Sequence, residues 1–207
     1  NFVHLHTHSY FSFQDGVPSP ADLAQAAARL GMGALALTDH AGLTGAIEFY
    51  AACQKAGVRP VLGLELPIAL AEDAVWAQPG ALVLLAMDLT GWRSLCRLSS
   101  ALLEDPARGA ARGLPFERFA AETAGLLCLT GGRDSLVARL LRAGRAPQAS
   151  HWLGRLAELF DDRLYVELAP AGPDSPALWA RLADHARRQG LPTVATNDVH
   201  TLTPAQE

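Results

Sequence analysis

Short apolar runs alternate with helical patterns along the whole chain. The apolar runs predict seven strands, at Phe2–Leu5, Ala34–Leu37, Val61–Glu65, Leu82–Ala86, Leu126–Leu129, Leu164–Leu168 and Thr193–Ala195. Because they are continuously apolar and separated by helical patterns, they predict a parallel sheet covered by helices on both faces. Seven such units without a break in composition favour an α/β barrel over an open sheet.

The segments between the strands carry helix signals. Ser19 supplies an N-cap and Pro20 a first helical residue, which predicts a helix that runs to Gly31. Further helices are predicted from about Leu43 to Gly57, near Gly91–Leu103 and Phe116–Glu122, and around Ser135–Ala143, Ala146–Phe160 and Pro176–Gln189. The stretches Ala71–Gly80 and Asp105–Pro115 are predicted to be loops.

Composition excludes several classes of protein. Half of the 207 residues are apolar and 18% are charged, which excludes a disordered tail. The longest apolar runs are interrupted before the ~20 residues that a membrane span needs, and no secretory signal is visible, so no membrane partner is expected. The three cysteines are far apart among apolar neighbours, which indicates a reducing compartment, the cytoplasm. The net charge of −4 argues against binding nucleic acid through a basic surface, but it allows a nucleic-acid substrate held by its phosphates.

Side chains that can bind metals fall at the carboxyl ends of four predicted strands. The four segments are Leu5–His8, Thr38–His40, Gly63–Glu65 and Asn197–His200. In a parallel barrel, groups at these strand ends converge on one mouth. His6 and His8 are two apart on an extended segment, so both imidazoles point to one side, and Asp198 and His200 repeat this spacing. Each signal is weak alone, but their joint placement predicts a metal site.

The same residues resemble the motifs of a known family. Phe2–Ser9, Ser12–Gly16, Thr38–His40, Gly63–Glu65 and Asn197–His200 look like those of the PHP (polymerase and histidinol phosphatase) domain. The stretches Gly45–Tyr50, Leu84–Trp92 and Leu164–Leu168 are similar to the PHP domain that opens the alpha subunit of bacterial C-family DNA polymerases, especially the error-prone type. The resemblance covers nearly all of residues 1–207. It implies an α/β fold, a distorted (β/α)7 TIM-like barrel with a metal cluster at the C-terminal strand ends. Since the chain starts at Asn1 rather than Met, we expect a fragment of a longer polymerase.

The resemblance also implies a set of metal ligands. Carried over position by position, they are His6, His8, Asp15, His40, Glu65, Asp198 and His200. The family pattern assigns one metal to His6, His8, Glu65 and Asp198, and a second to Asp15, His40 and His200. Fully equipped members have further ligands for a third metal at the positions of Ala81 and Gly132. We therefore expect two divalent ions, Zn, Mn or Fe, and a third site that is weak or absent.

The chemistry that fits is hydrolysis of a phosphoester, with a metal-bound hydroxide as the nucleophile and no separate side-chain nucleophile. Asp39 either orients a ligand imidazole or caps the following turn. Arg133 either reaches a substrate phosphate or is an ordinary surface arginine. His4 is expected to pack rather than to ligate. The expected partners are DNA or a phosphate-containing product, and the remainder of the polymerase chain.

Three functions stay open from the sequence. The first is a polymerase domain that retains phosphoesterase chemistry, such as a 3′→5′ exonuclease. The second is a scaffold domain that is degenerate in catalysis, which the changes at Ala81 and Gly132 favour and the seven remaining ligands oppose. The third is an independent phosphatase such as a histidinol phosphatase, which the polymerase-like segments oppose. Polymerisation itself is not expected from these residues.

Overall fold

The computed structural model describes residues 2–69, 79–104, 113–170 and 175–203. The strands are β1 (Ala34–Leu37), β2 (Arg59–Ala69), β3 (Gly80–Ala86), β4 (Leu114–Pro115), β5 (Leu126–Leu129), β6 (Leu164–Leu168) and β7 (Thr193–Ala195). The α-helices are α1 (Pro20–Arg29), α2 (Ala46–Ala56), α3 (Leu89–Leu103), α4 (Phe116–Ala120), α5 (Leu136–Arg142), α6 (Ala146–Phe160) and α7 (Ser175–Arg188). Every predicted helix has a counterpart, and six of the seven predicted strands do.

The strands form one curled sheet in the order β1-β2-β3-β5-β6-β7, with β4 paired to β2. The sequence predicted an entirely parallel sheet, and this was wrong. Strand β3 runs antiparallel to both β2 and β5. A parallel connection needs a crossover of a dozen or more residues, usually a helix. Only residues 70–79 separate β2 from β3, so the chain turns back beside β2 instead.

The predicted first strand, Phe2–Leu5, does not form a regular strand. The segment His4–His8 nevertheless lies between the two edges of the sheet. On one side, the amides of Ala36 and Thr38 donate to the carbonyls of His4 and Thr7, both at 2.9 Å. On the other side, the His8 amide donates to the Val199 carbonyl at 2.8 Å. The sheet is therefore closed by an irregular segment, which carries two of the predicted ligands.

The loop predictions fall mostly outside the described residues. Residues 70–78 and 105–112 lie there. Two described parts of the predicted loops are strands instead. Gly80 begins β3, and Leu114–Pro115 forms β4, which pairs in parallel with Ile68 and Ala69 at the end of β2. Within the described part of the chain, the helices are too short or too polar to cross a bilayer.

Alternation along the strands separates an inner core from an outer core. On β6, Leu164, Val166 and Leu168 pack outward against the helices. Tyr165, between them, packs inward with a small cluster of Ala36, Val83, Leu85 and Leu129. Since successive side chains in a strand point to opposite faces, the residue two after Tyr165 also faces the interior. That residue is Glu167.

Candidate metal centre

Backbone pairing brings the predicted ligand segments together at one end of the barrel. His40 and Glu65 form a parallel bridge just beyond β1 and within β2, and Thr7 and Val199 form another. The Glu65 amide donates to the Asp39 carbonyl at 3.1 Å, and the Ala41 amide donates to the Glu65 carbonyl at 2.9 Å. The ends of four segments thus meet, as the strand-end argument predicted.

His6, His8, Glu65 and Asp198 offer one ligand atom each, and these four atoms all lie within 4.8 Å of one another. His6 Nε2 is 2.7 Å from Glu65 Oε2 and 3.4 Å from Asp198 Oδ1. His8 Nε2 faces the same two oxygens at 3.7 and 3.4 Å. Two imidazole nitrogens and two carboxylate oxygens therefore surround one point, the donor set that the resemblance assigned to the first metal.

A second group of ligand atoms comes from His8, His40 and His200. The His8 ring stacks on the His200 ring with centroids 4.4 Å apart and lies 4.2 Å from the His40 ring. Asp15 contacts two of these residues, since its Oδ2 is 2.7 Å from His40 Nε2 and 3.2 Å from His200 Nδ1. The structure thus brings all seven predicted ligands together, and it adds His8 to the neighbourhood of the second set.

The protonation of His8 follows from its hydrogen-bond partners. Ser12 Oγ donates its single proton to Asp39 Oδ1 at 2.7 Å. It can therefore only accept at its other contacts, 3.1 Å from His8 Nδ1 and 3.1 Å from the His40 amide. His8 Nδ1 is therefore the donor, and in the neutral ring, which burial favours by lowering the pKa of His8, Nε2 keeps a bare lone pair.

That bare nitrogen makes no hydrogen bond although it is buried. Both His8 Nε2 and His200 Nδ1 are buried atoms without a hydrogen-bond partner. Buried polar atoms are rarely left unsatisfied in folded proteins. Imidazole nitrogens beside carboxylates are the ligands that Zn, Mn or Fe prefer, so the donor set fits divalent ions.

The titratable groups hold one another in their charged forms. Burial would lower the pKa of His6, but the charge of Glu167 and hydrogen bonds to Glu167 and Glu65 raise it well above its ordinary value. Burial also opposes the charged form of His40, yet hydrogen bonds to Glu65 and Asp15 raise its pKa to about 9. Conversely, His40 and His6 hold the pKa of Glu65 well below its usual range despite burial.

His8 and Asp198 are both buried, but only Asp198 is held in its charged form. Burial lowers the pKa of His8, which favours the neutral ring. Asp198 is also largely buried, but its hydrogen bond to His200 and the charge of His6 hold its pKa far below the ordinary value. Asp198 adopts a left-handed backbone conformation with φ of +50°, which is uncommon for a residue other than glycine and is often found at functional sites.

Asp39 hydrogen-bonds to the loop after His8, and it reaches a ligand imidazole only through Ser12. Its Oδ1 accepts from the Ser9 amide at 2.7 Å, and its Oδ2 accepts from the Ser9 hydroxyl at 2.8 Å, which anchors the loop after His8. It touches no ligand imidazole directly but acts on His8 through Ser12.

The next turn of this loop requires Gly16, because a Cβ there would lie 2.0 Å from the Ser9 carbonyl oxygen.

Glu167 is a site residue that sequence reasoning missed. It is completely buried, and its Oε1 is 2.8 Å from His6 Nδ1. A signal was present, because a single carboxylate on the inward face of an otherwise apolar strand demands a polar partner. The apolar run Leu164–Leu168 predicts a buried strand, and only its alternation singles out Glu167.

The other histidines, His4, His151 and His185, belong to neither ligand group. His4 packs edge-on against Phe2 with centroids 5.0 Å apart and belongs to neither ligand group. His151 and His185 lie on α6 and α7. Arg133 follows β5 in a short 3-10 turn and is exposed, and its carbonyl accepts from Arg142 at 2.7 Å.

The motifs, the closed sheet and the clustered ligands agree with one family model. The PHP domain model matches residues 4–171 of the chain. This chain belongs to the PHP domain family. The match begins at His4 and covers five of the seven predicted ligands, from His6 to Glu65, and it ends before Asp198 and His200.

Curated relatives of this PHP domain are bacterial DNA polymerases. It is 35% identical over 207 residues to the DNA polymerase III subunit alpha of Caulobacter vibrioides, covering 98% of the chain and 18% of that protein. It is 37% identical over 219 residues to the error-prone DNA polymerase of Symbiobacterium thermophilum, covering 98% and 19%. The chain therefore spans less than a fifth of the length of these relatives. The expected resemblance to C-family polymerase alpha subunits is confirmed.

Solved structures confirm the predicted fold class, the distorted TIM-like barrel of PHP domains. An amidohydrolase from Chromobacterium violaceum with bound sulfate superposes with a TM-score of 0.65 at 17% identity, covering 97% of this chain and 88% of its own. A two-domain protein from Bacteroides vulgatus, described as containing a predicted PHP-like metal-dependent phosphoesterase, gives 0.58 at 18% identity, with coverage of 99% and 52%. At these identities the likeness shows the fold alone.

Proposed function

We propose that this chain is the PHP domain of a bacterial C-family DNA polymerase of the error-prone type, and that it hydrolyses phosphodiesters with two divalent ions. The proposed ligands are His6, His8, Asp15, His40, Glu65, Asp198 and His200. The polymerase setting is supported by the relatives named above, and by their length, which leaves room for the rest of a polymerase chain. A cytoplasmic location agrees with three cysteines that are all free.

One observation carries the chemical part of the proposal. His8 Nε2 is buried and makes no hydrogen bond, yet its two ligand groups bring two carboxylates and three other imidazoles beside it. A nitrogen held in this way costs free energy unless an ion occupies the space before it. Folding alone does not explain the arrangement, whereas metal binding does.

Glu65 and Asp15 have different positions in the proposed metal centre. Glu65 links the two ligand groups, because its Oε2 contacts His6 and its Oε1 contacts His40 at 3.0 Å. Asp15 is the most exposed ligand, with 47% of its side chain accessible, so it marks the open mouth where a substrate enters. Two divalent ions bound here would activate a water molecule and neutralise charge on a phosphoryl group. The three carboxylates leave a positive excess beside two such ions, which favours an anionic substrate.

The substrate that fits the polymerase setting is the 3′ end of a DNA strand, and a smaller phosphate-containing product is the alternative. The test uses bis(p-nitrophenyl) phosphate as a generic phosphodiester and a 3′-labelled single-stranded DNA, each with added Mn²⁺ or Zn²⁺. We expect cleavage of both by the wild-type chain, and loss of more than about tenfold on His8→Ala. His151→Ala, on the surface of α6, is the matched control and should retain full activity.

A second candidate function is a scaffold domain without catalysis. The observation that favours it is that Ala81 and Gly132 stand where fuller members of the family carry ligands. If the chain binds metal but cleaves neither probe at any metal concentration, the scaffold function replaces the hydrolase. If only the small phosphodiester is cleaved, the DNA end is excluded as the substrate.

A further inference from the structure

A carboxylate outside the proposed ligand set lies directly behind the first ligand group. Glu167 sits near the carboxyl end of β6, on the inward face of the barrel, and is 0% exposed. Its Oε1 is 2.8 Å from His6 Nδ1 and also accepts from the Thr196 hydroxyl. Its Oε2 accepts from the Gly131 amide at 3.0 Å. Both oxygens of the Glu167 carboxylate therefore accept a hydrogen bond from a group other than His6.

These contacts determine the orientation of His6. Since a carboxylate can only accept, His6 Nδ1 must be the donor. Nε2 points the other way, toward Glu65 Oε2 (2.7 Å) and Asp198 Oδ1 (3.4 Å), and in the metal-free chain it donates to Glu65. When an ion binds, Nε2 gives up its proton while Nδ1 keeps the one shared with Glu167, so Nε2 is the ligand nitrogen. The backbone of Glu167 is also anchored, because its amide donates to Thr130 Oγ1 at 3.0 Å.

We infer that Glu167 is a positioning residue of the metal centre, which fixes the ring rotation and the tautomer of His6 and makes it a stronger ligand. This inference rests on the proposed function, since it presumes ions at the first ligand group. A carboxylate behind a ligand imidazole increases its basicity and orients it. His8 is held by the neutral hydroxyl of Ser12 instead, so His6 is the more strongly polarised imidazole of the pair.

The test is a Co²⁺ titration of the wild-type chain and Glu167→Gln, followed by visible absorption and by competition with a chelator. Glutamine keeps the shape of the side chain and an oxygen for His6, but removes the charge. We expect Glu167→Gln to bind the first ion about tenfold more weakly or worse, with a changed absorption spectrum. Glu48→Gln, an exposed carboxylate on α2 that contacts Tyr10, is the matched control and should bind like the wild type.

An affinity within twofold of wild type and an unchanged spectrum would overturn the role of Glu167 while leaving the metal centre in place. A wild-type chain that binds no Co²⁺ overturns the proposed function, and this inference with it. A second measurement needs no variant, should Glu167→Gln fail to fold. Long-range ¹H–¹⁵N NMR of the Zn²⁺-loaded wild type should show a protonated Nδ1 on His6, and a His6 that binds through Nδ1 contradicts the inference.

Discussion

Ser12 Oγ lies 3.1 Å from His8 Nδ1 and 2.7 Å from Asp39 Oδ1, so that one hydroxyl joins a carboxylate to a ligand imidazole. The direction of the hydrogen bonds matters more than their lengths. Because the Ser12 proton goes to Asp39, His8 is compelled to donate from Nδ1 and to present Nε2 to the ligand cluster. A serine that looks incidental in the sequence thus sets the state of the most buried ligand.

Ser12→Ala should weaken metal binding without removing any ligand. His8 Nδ1 and the His40 amide lose their acceptor, and the His8 ring loses the group that fixes its tautomer. We expect about tenfold weaker Zn²⁺ affinity and a loss of about 1–3 kcal/mol in the free energy of unfolding. A chelator competition and a urea titration measure the two effects. Ser100→Ala, on the exposed face of α3, is the control. An unchanged metal affinity in Ser12→Ala would contradict the role of the Asp39–Ser12–His8 hydrogen bonds.

The pH dependence of the chelated chain should have a definite sign. The pKa of His40 is raised to about 9, so its charged form stabilises the folded chain. That contribution is complete below about pH 6.5, the ordinary pKa of histidine, and is lost as the pH rises through about 9. Urea titrations in excess chelator at pH 6.5, 8 and 9.5 should therefore show falling stability.

Metal affinity should change in the opposite direction over the same interval. Ligand imidazoles must lose their protons before they bind an ion, so protons are released on binding and affinity rises with pH. Zn²⁺ competition titrations at the three pH values measure this. A chelated chain that becomes more stable between pH 6.5 and 9.5, or a metal affinity that falls, contradicts the proposed charge states.

Gly16→Ala tests the loop that carries Asp15. The new Cβ would lie 2.0 Å from the Ser9 carbonyl oxygen, so the loop must move. We expect a loss of about 1–3 kcal/mol in the free energy of unfolding and weaker binding of the second ion. Gly154→Ala is the matched control, because it lies within α6 with nothing within 4 Å of the new Cβ. That substitution should stabilise the chain by about 0.5–1 kcal/mol.

Ala81→His tests the map of the depleted third site. Ala81 lies on β3, two residues from Val83, the cross-strand partner of Glu65. Alternation places it on the inward face with Val83 and Leu85. A histidine there should raise the number of bound ions above that of the wild type, measured by elemental analysis. Ala81→Leu adds similar bulk without a ligand atom and should not, and an unchanged count in Ala81→His would contradict the map.

The sequence predicted all seven of the described α-helices and six strands because their signals are local. Pro20 after Ser19 marks a helix start that the structure forms with a complete capping box. Gly57 ends α2 in the left-handed conformation that glycine adopts at little cost. The direction of β3 is not local information, since it depends on the length of the connection before it. The predicted strands end at Glu65 and resume at Leu82, which leaves room for a parallel crossover. The gap is short only because β2 continues to Ala69 and β3 begins at Gly80.

The site residues also fall into those that local sequence signals predict and those that they do not. His6, His8 and Asp198 were found because ligand-type residues recur at strand ends with a spacing of two. Ser12 and Glu167 carry no such pattern, and their roles arise from contacts between segments far apart in the chain, 161 residues in the case of His6 and Glu167. Residues that support a ligand are harder to predict than ligands, because only the folded chain reveals what they touch.

The central claim is that this chain holds two divalent ions through its clustered imidazoles and carboxylates, and the most direct test is to count them. The chain is stripped with chelator, re-equilibrated with Zn²⁺ or Mn²⁺, freed of unbound ion and analysed for metal by mass spectrometry. The account predicts two ions per wild-type chain, two for His151→Ala, and a clear loss for His8→Ala, whose Nε2 faces both groups. A wild-type chain that retains no bound ion under these conditions contradicts the account.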